Sequence, residues 1–277
     1  MPTALVTGAS TGIGRATALR LDADGWDVLA GVRRAEDGER LAAGASRRLR
    51  PVIVDVTDAA GIAAAAREAG DRLDGLVNNA GIAVGGPVET IGLDELRHAL
   101  EVNFVGAVSV TQAMLPALRA ARGRVVFLSS IGGRVATPFL SPYNASKFAV
   151  EAVGDALRVE LRRLGVRVSV VAPGSVATPI WEKGHAQADA VGDALAPELR
   201  AVYGAALDGF KRAARETEAR GVPPEKVAAA IHHALTARRP RAHYLIGNDA
   251  RVILAMHRAL PTSLRDRVIA RAVHLPR

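Results

Sequence analysis

The chain has 277 residues, 49% of them hydrophobic, a net charge of +8 and no cysteine. That length allows one or two domains and a sizeable core, and no linker, repeat or composition break divides it, so residues 1–277 read as one domain. Without cysteine there are no disulfides, thiol nucleophiles or thiolate-held metals, which suits a cytoplasmic protein.

Apolar runs then alternate in two periods along the chain. Strands are expected at 3–7, 27–33, 51–56, 73–78, 124–129, 166–172 and 242–246, and helices at 14–24, 58–70, 93–120, 143–164 and 224–237. Such alternation gives an α/β fold, a doubly wound parallel sheet of about seven strands with helices on both faces. Val125–Leu128 and Val166–Val171 are apolar enough to be buried on both sides. Ligands in such sheets sit beyond the carboxyl ends of the strands, where each motif below falls.

The first strand runs into Thr7-Gly8-Ala9-Ser10-Thr11-Gly12-Ile13-Gly14, and a helical pattern follows. Strand, glycine turn and helix form the opening of a dinucleotide-binding unit. Glycines let backbone approach a pyrophosphate, and the helix N-terminus favours its charge. Further on come Asn78-Asn79-Ala80-Gly81 and, at the mouth of a helix, Tyr143-Asn144-Ala145-Ser146-Lys147. Tyr143 and Lys147 are four apart and share one helical face. A phenol has a pKa of about 10, and a neighbouring cation lowers it toward a useful proton-transfer range.

Taken together, T-G-x-x-x-G-I-G, N-N-A-G and Y-x-x-x-K resemble the short-chain dehydrogenase/reductase family over about residues 3 to 247, closest in pattern to its retinol and hydroxysteroid dehydrogenase branch. The resemblance implies a Rossmann-type fold and hydride transfer between a nicotinamide cofactor and a carbonyl or alcohol. It assigns Ser130, thirteen residues before Tyr143, to the substrate oxygen. Tyr143 becomes the general acid or base, and Lys147 lowers its pKa and binds the nicotinamide ribose. Asn103, in mid-helix, is expected at a distortion that holds a proton-relaying water.

For the cofactor, the resemblance implies contacts from Gly8, Ser10, Thr11, Gly12, Ile13 and Gly14 in the turn. It adds Asp55 and Val56 near the adenine, and Asn79, Ala80 and Gly81 along its ribose. Pro173, Gly174, Val176 and Thr178 would meet the carboxamide and pyrophosphate, beside Tyr143 and Lys147. After the second strand an acidic residue would accept from the 2′-hydroxyl. Val32 stands there instead, followed by Arg33 and Arg34. Guanidinium groups grip phosphate, so NADP(H) is expected with Arg33 as the main contact, and NAD(H) remains open.

Ile131, Val135, Phe139, Leu140, Pro179, Ile180, Trp181 and Tyr203 are candidate pocket residues, suiting a small lipophilic ketone, retinoid or steroid-like substrate. A 3-oxoacyl-carrier-protein ketoreductase is an alternative, and a nucleotide-sensing non-enzyme a more distant one. Residues 176–222 are too long for a simple connection and read as a substrate lid. Residues 249–277 read as a C-terminal helical extension of two pieces broken by Pro261, with six arginines against two aspartates. Its basic face fits peripheral membrane contact, though packing on the body or on a second subunit fits better, and a homodimer is expected over a tetramer. No apolar run argues for a membrane span, and the first strand begins too early to leave room for a signal peptide. The arginines are scattered and aromatics are 4%, so nucleic acid is not an expected partner. The seven histidines show no metal spacing.

Overall fold

The computed structural model describes residues 1–275. Seven strands form one parallel sheet: β1 Thr3–Val6, β2 Asp27–Val32, β3 Leu49–Ile53, β4 Gly75–Asn78, β5 Arg124–Leu128, β6 Arg167–Pro173 and β7 His243–Ile246. Their order is β3-β2-β1-β4-β5-β6-β7. The order reverses beside β1, which opens a crevice between the ends of β1 and β4, where such sheets bind ligands.

The helices are α1 Gly12–Ala23, α2 Ala35–Ala42, α3 Ala59–Ala69, α4 Leu93–Leu100, α5 Gly106–Ala121, α6 Ser141–Glu160, α7 Ile180–Ala194, α8 Pro197–Ala219, α9 Pro224–Thr236, α10 Asn248–Ala259 and α11 Thr262–Ala272. Strand periodicity sorts the core into two layers. Leu5, Leu76, Val125 and Phe127 face α3, α5 and α6 with Ile62, Met114 and Val150. Ala4, Val77, Val126 and Leu128 face α1 and α9 with Leu21, Val227 and Ile231. Phe127 is fully buried, and truncating such a side chain to alanine costs about 3–5 kcal/mol.

Two readings of the elements need correction. The third strand ends at Ile53 rather than 56, so Asp55 lies on the connection beyond it. That strand holds Pro51 and lies at the sheet edge, paired only with β2, where a missing N–H is tolerated. Helix α2 was not expected. Its sequence is short and polar, and only Gly38 and Leu41 are buried, so it carries too little apolar content to stand out. Within the expected helix 93–120 lies a π turn at Glu101–Val105 with Asn103 buried at its centre, a distortion at the expected place.

The stretch read as a lid forms α7 and α8, and the tail forms α10 and α11 on either side of Pro261. By length and apolarity, Leu93–Ala121 alone among the described residues passes as a candidate membrane span. Its Val110, Met114 and Leu118 are packed in the core.

Candidate active site

The glycine turn is braced by neighbouring chain ends. Asn79 donates from Nδ2 to the carbonyls of Thr7 (2.9 Å) and Gly8 (3.0 Å). The Thr7 hydroxyl accepts from the backbone N–H of Asn79 (3.0 Å) and Ala80 (3.1 Å). A Cβ on Gly14 would overlap the Gly8 carbonyl and the Asn79 amide, so only glycine fits there. Asn79 therefore shapes the turn as well as lying beside the crevice. Thr11, at the head of α1, makes no side-chain cap bond. The N–H groups of that first turn are the donors a pyrophosphate takes. A Cβ on Gly12 would lie 3.1 Å from Thr178 Cγ2, so the segment after β6 reaches over the turn. These two segments fit a dinucleotide.

At the adenine end, Asp55 accepts on Oδ1 from the N–H (2.9 Å) and hydroxyl (2.7 Å) of Thr57. These bonds hold its carboxyl below the usual aspartate value. Val56 is buried, its carbonyl facing Gly106. Asp58, not Asp55, caps α3, accepting from Ala60 and Gly61. Arg33 and Arg34 are both exposed just beyond β2. Arg34 is committed to Asp37 at 3.1 Å. Arg33 has no ion-pair partner within 4 Å among the described residues.

Ser130, Tyr143 and Lys147 converge at the end of β5. The Ser130 hydroxyl accepts from the Gly132 N–H at 3.1 Å, and a Cβ on Gly132 would lie 3.5 Å from that hydroxyl and 3.3 Å from Tyr143 Cε1, so the two side chains flank the same glycine. Lys147 is buried, donates to the Leu128 carbonyl at 2.9 Å, and has its Nζ 5.8 Å from the Tyr143 ring centroid. Burial brings the Lys147 ammonium down to about 8. The phenol moves the other way from expectation: desolvation pushes Tyr143 up, opposed by the Ser130 hydroxyl. The ammonium is itself desolvated and does not touch the hydroxyl, so burial outweighs its attraction. Ser129 is buried, its hydroxyl 3.5 Å from the Lys147 carbonyl.

Asn103 is where the π turn was needed. Its Oδ1 accepts from Ile82 N–H (2.7 Å), and Nδ2 donates to the Ile82 carbonyl (2.9 Å) and the Ser146 hydroxyl (2.9 Å). Ser146 in turn donates to the Tyr143 carbonyl at 2.7 Å. The Asn103 side chain thus clamps the chain after β4 onto the helix that carries Tyr143 and Lys147. Both amide hydrogens are used, so a proton relay through Asn103 would draw on the displaced backbone of the π turn. Ile82 and Ser146 were missed as site residues. Ser146 stands three residues after Tyr143, a spacing that places it near the same face.

Beyond β6, Val176 pairs with Val222. The Ala177 N–H and the Ser175 carbonyl make that bridge, which leaves the Val176 N–H outside it. The Trp181 indole donates to the Val176 carbonyl at 2.8 Å. A cavity of about 40 Å³ lies between the chain after β4 and the lid, lined by Ala83, Gly85, Gly86, Leu140, Gly184, Gln187, Ala188, Leu207 and Phe210. Of the expected pocket residues, Leu140 lines it, and Phe139 packs edge-on against Phe210 with ring centroids 5.7 Å apart. Ile131, Val135, Pro179, Ile180, Trp181 and Tyr203 do not line it. Val135 is in the core, Trp181 is tethered to Val176, and Tyr203 bonds Glu89 at the surface (2.8 Å). Leu207 and Phe210 lie on a helix whose apolar stripe does not reveal which face meets the site.

The short chain dehydrogenase family profile matches residues 2–189. Retinol dehydrogenase 5 from Mus musculus is 39% identical, over 95% of this chain and 86% of its own length. The 17-beta-hydroxysteroid dehydrogenase type 6 of Bos taurus is 38% identical, over 96% and 87%. Among solved structures, a short chain dehydrogenase from Burkholderia cenocepacia in complex with NADP aligns with a TM-score of 0.75, 26% identity and coverage of 96% and 97%. The chain belongs to the short-chain dehydrogenase/reductase family. It is an oxidoreductase of the pattern shared with retinol and hydroxysteroid dehydrogenases, a family that works with NAD(P).

Proposed function

We propose that this enzyme reduces a lipophilic ketone or aldehyde, or oxidises the matching alcohol, with NADP(H). The observation that carries the chemistry is the convergence of Ser130 and Tyr143 about Gly132 with buried Lys147, its Nζ 5.8 Å from the Tyr143 ring centroid, at the carboxyl end of β5. Bound in that crevice, the nicotinamide dinucleotide supplies or takes up the hydride. Ser130 donates a hydrogen bond to the substrate oxygen. Tyr143 gives the proton that completes reduction, and its raised pKa keeps it protonated for that task. Lys147 holds positive charge beside the phenol and offers donors to the nicotinamide ribose. Asn103 fixes the helix beneath both through Ser146.

Arg33 supports NADP(H), because it is exposed and unpaired beyond β2 while Arg34 is held by Asp37. Asp55 Oδ2 is left for the adenine amino group. The apolar lining supports a lipophilic substrate, as do relatives named for retinol and hydroxysteroids. A pocket for such a ligand spans roughly 300 Å³ or more, so α7 and α8 move outward to admit it. The proposal places the enzyme in the cytoplasm; the one candidate span among the described residues packs Val110, Met114 and Leu118 into the core. A homodimer has support in the exposed apolar Val105, Phe148 and Val159, and size-exclusion chromatography with light scattering checks it.

The deciding experiment follows NADPH and NADH oxidation against a panel of retinoid, steroid and short ketones. Turnover of lipophilic carbonyls with NADPH, lost about 10³-fold in Tyr143→Phe, is expected. Equal turnover in Tyr143→Phe sinks the catalytic assignment.

A further inference from the structure

The C-terminal extension reaches back into the cofactor side of the site through one carboxylate. Asp249, in the first turn of α10, accepts on Oδ2 from the Ser175 N–H at 2.8 Å. Two glycines clear space for it. A Cβ on Gly174 or on Gly247 would overlap the Asp249 carboxylate oxygens. Gly247 sits at φ +105°, which a side chain would strain in any case. Residues from the end of β6 and from the chain after β7 thus surround one acid.

Ser175 is buried, and each of its other polar groups goes to a different segment. Its hydroxyl donates to the Thr217 carbonyl of α8 at 2.8 Å. Its carbonyl accepts from the Val222 N–H at 3.0 Å, and Gly174 before it donates to Ile246 at 2.8 Å. Ser175 therefore joins the extension to the lid helix, Gly174 before it bonds the sheet, and Val176 follows directly. The tail is also fastened at its far end. Val273 is buried, and a Cβ on Gly209 of α8 would overlap the His274 carbonyl. The extension spans from Ser175 to the back of the helix whose Phe210 lines the cavity.

We infer that Asp249 is a positioning residue: it holds the Ser175 backbone so that Val176 presents its N–H to the nicotinamide carboxamide, and Ser175 links that hold to the lid. The proposal rests on residues 173–178 being the carboxamide segment. An ionised acceptor gives a stronger, more directional hold than a neutral one, and fixing a binding segment before the ligand arrives raises affinity by lowering the ordering cost. Asp249 touches neither cofactor nor substrate, so its effect belongs in cofactor affinity rather than in the chemical step.

The test measures NADPH affinity by nucleotide fluorescence, the substrate KM and kcat at saturating cofactor, and backbone hydrogen exchange of residues 174–178 in the protein alone. Asp249→Ala is expected to weaken NADPH about tenfold, with kcat at saturation within about threefold and faster exchange at Ser175. Asp249→Asn keeps an acceptor oxygen and is expected to recover most of the affinity. Ser175→Ala keeps the N–H bond to Asp249 but frees the lid link, so the substrate KM rises about fivefold while NADPH binding stays near wild type. Wild-type NADPH affinity in Asp249→Ala overturns the proposal. Equal losses in Asp249→Ala and Asp249→Asn, spread over cofactor, substrate and Tm together, overturn it too, because they mark a role in folding alone. A wild-type protein that binds neither NADPH nor NADH removes the carboxamide reading itself, an outcome separate from either of these.

Discussion

The glycine turn and the lid face each other across the site and are held by different forces. The turn is fixed by Asn79 donating to the Thr7 and Gly8 carbonyls and by the Thr7 hydroxyl accepting from the Asn79 and Ala80 N–H groups, against a sheet whose Val6 and Val77 are fully buried. Apart from the bond from the buried Ser175 hydroxyl to Thr217, the lid is held by contacts near water: Lys211 with Asp189, His185 with Glu218, Tyr203 with Glu89 and Gln187 with Glu95. No described residue of α7 is buried, and α8 buries Leu207, Gly209 and Ala213. Surface ion pairs contribute about 0–1 kcal/mol each, whereas a buried polar group stripped of its partner costs about 1–3 kcal/mol. The cofactor side is therefore preformed, and the lid is the part free to open at small cost.

That contrast can be broken most severely in the turn. Gly14→Ala should weaken NADPH by more than about 100-fold, since the methyl group has nowhere to go except into the Gly8 carbonyl. Titration of nucleotide fluorescence reads it, and near-normal binding would show that the turn is softer than its bracing suggests. Next in size is Arg33→Asp, expected to reverse the cofactor ratio of kcat/KM by about 30-fold toward NADH. An unchanged ratio would leave Arg33 as a solvated side chain.

On the lid, Phe210→Ala should raise KM about fivefold for a lipophilic substrate and leave NADPH affinity alone. A matching loss of cofactor affinity would erase the distinction between the two sides. The smallest effect lies at the seam. Burial brings Lys147 down to about 8 in the folded protein, below its value of about 10.4 when unfolded. Between those values the unfolded chain binds the extra proton, so stability rises with pH. The cost of burying the ammonium is fully present below pH 8 and is relieved as pH climbs toward 10. Wild type should therefore gain a few degrees of Tm relative to Lys147→Met between pH 7 and 9.5, measured by calorimetry. A constant difference would place the ammonium in a better-solvated site.

The same division explains what could be read from the chain. Strands such as Val125–Leu128 carry period and apolarity in adjacent residues, and Gly8 to Gly14 and Tyr143 to Lys147 are local motifs, so their places followed from spacing. Asn103 stood out as an amide within an apolar helix, and the π turn is its structural counterpart. The partners Ile82 and Asp249 meet their targets only after the chain has crossed the sheet, and no local period marks them. Of the cavity lining, Leu140 was legible in the sequence. Phe210 and Leu207 come from a helix that supplies apolar residues to several neighbours, and Tyr203, one turn earlier, faces outward to Glu89. The direction of the Tyr143 shift was likewise hidden, because desolvation is a property of packing rather than of composition.

The tether between Trp181 and Val176 has a practical side. The chain has two tryptophans, and Trp26 is buried in the core beside α1 and α9. Trp181 is bonded to the segment that would meet the nicotinamide. Its emission is thus a built-in optical gauge of that segment, and a Trp26→Phe background would let one indole report nucleotide arrival and lid motion in real time, without any added label.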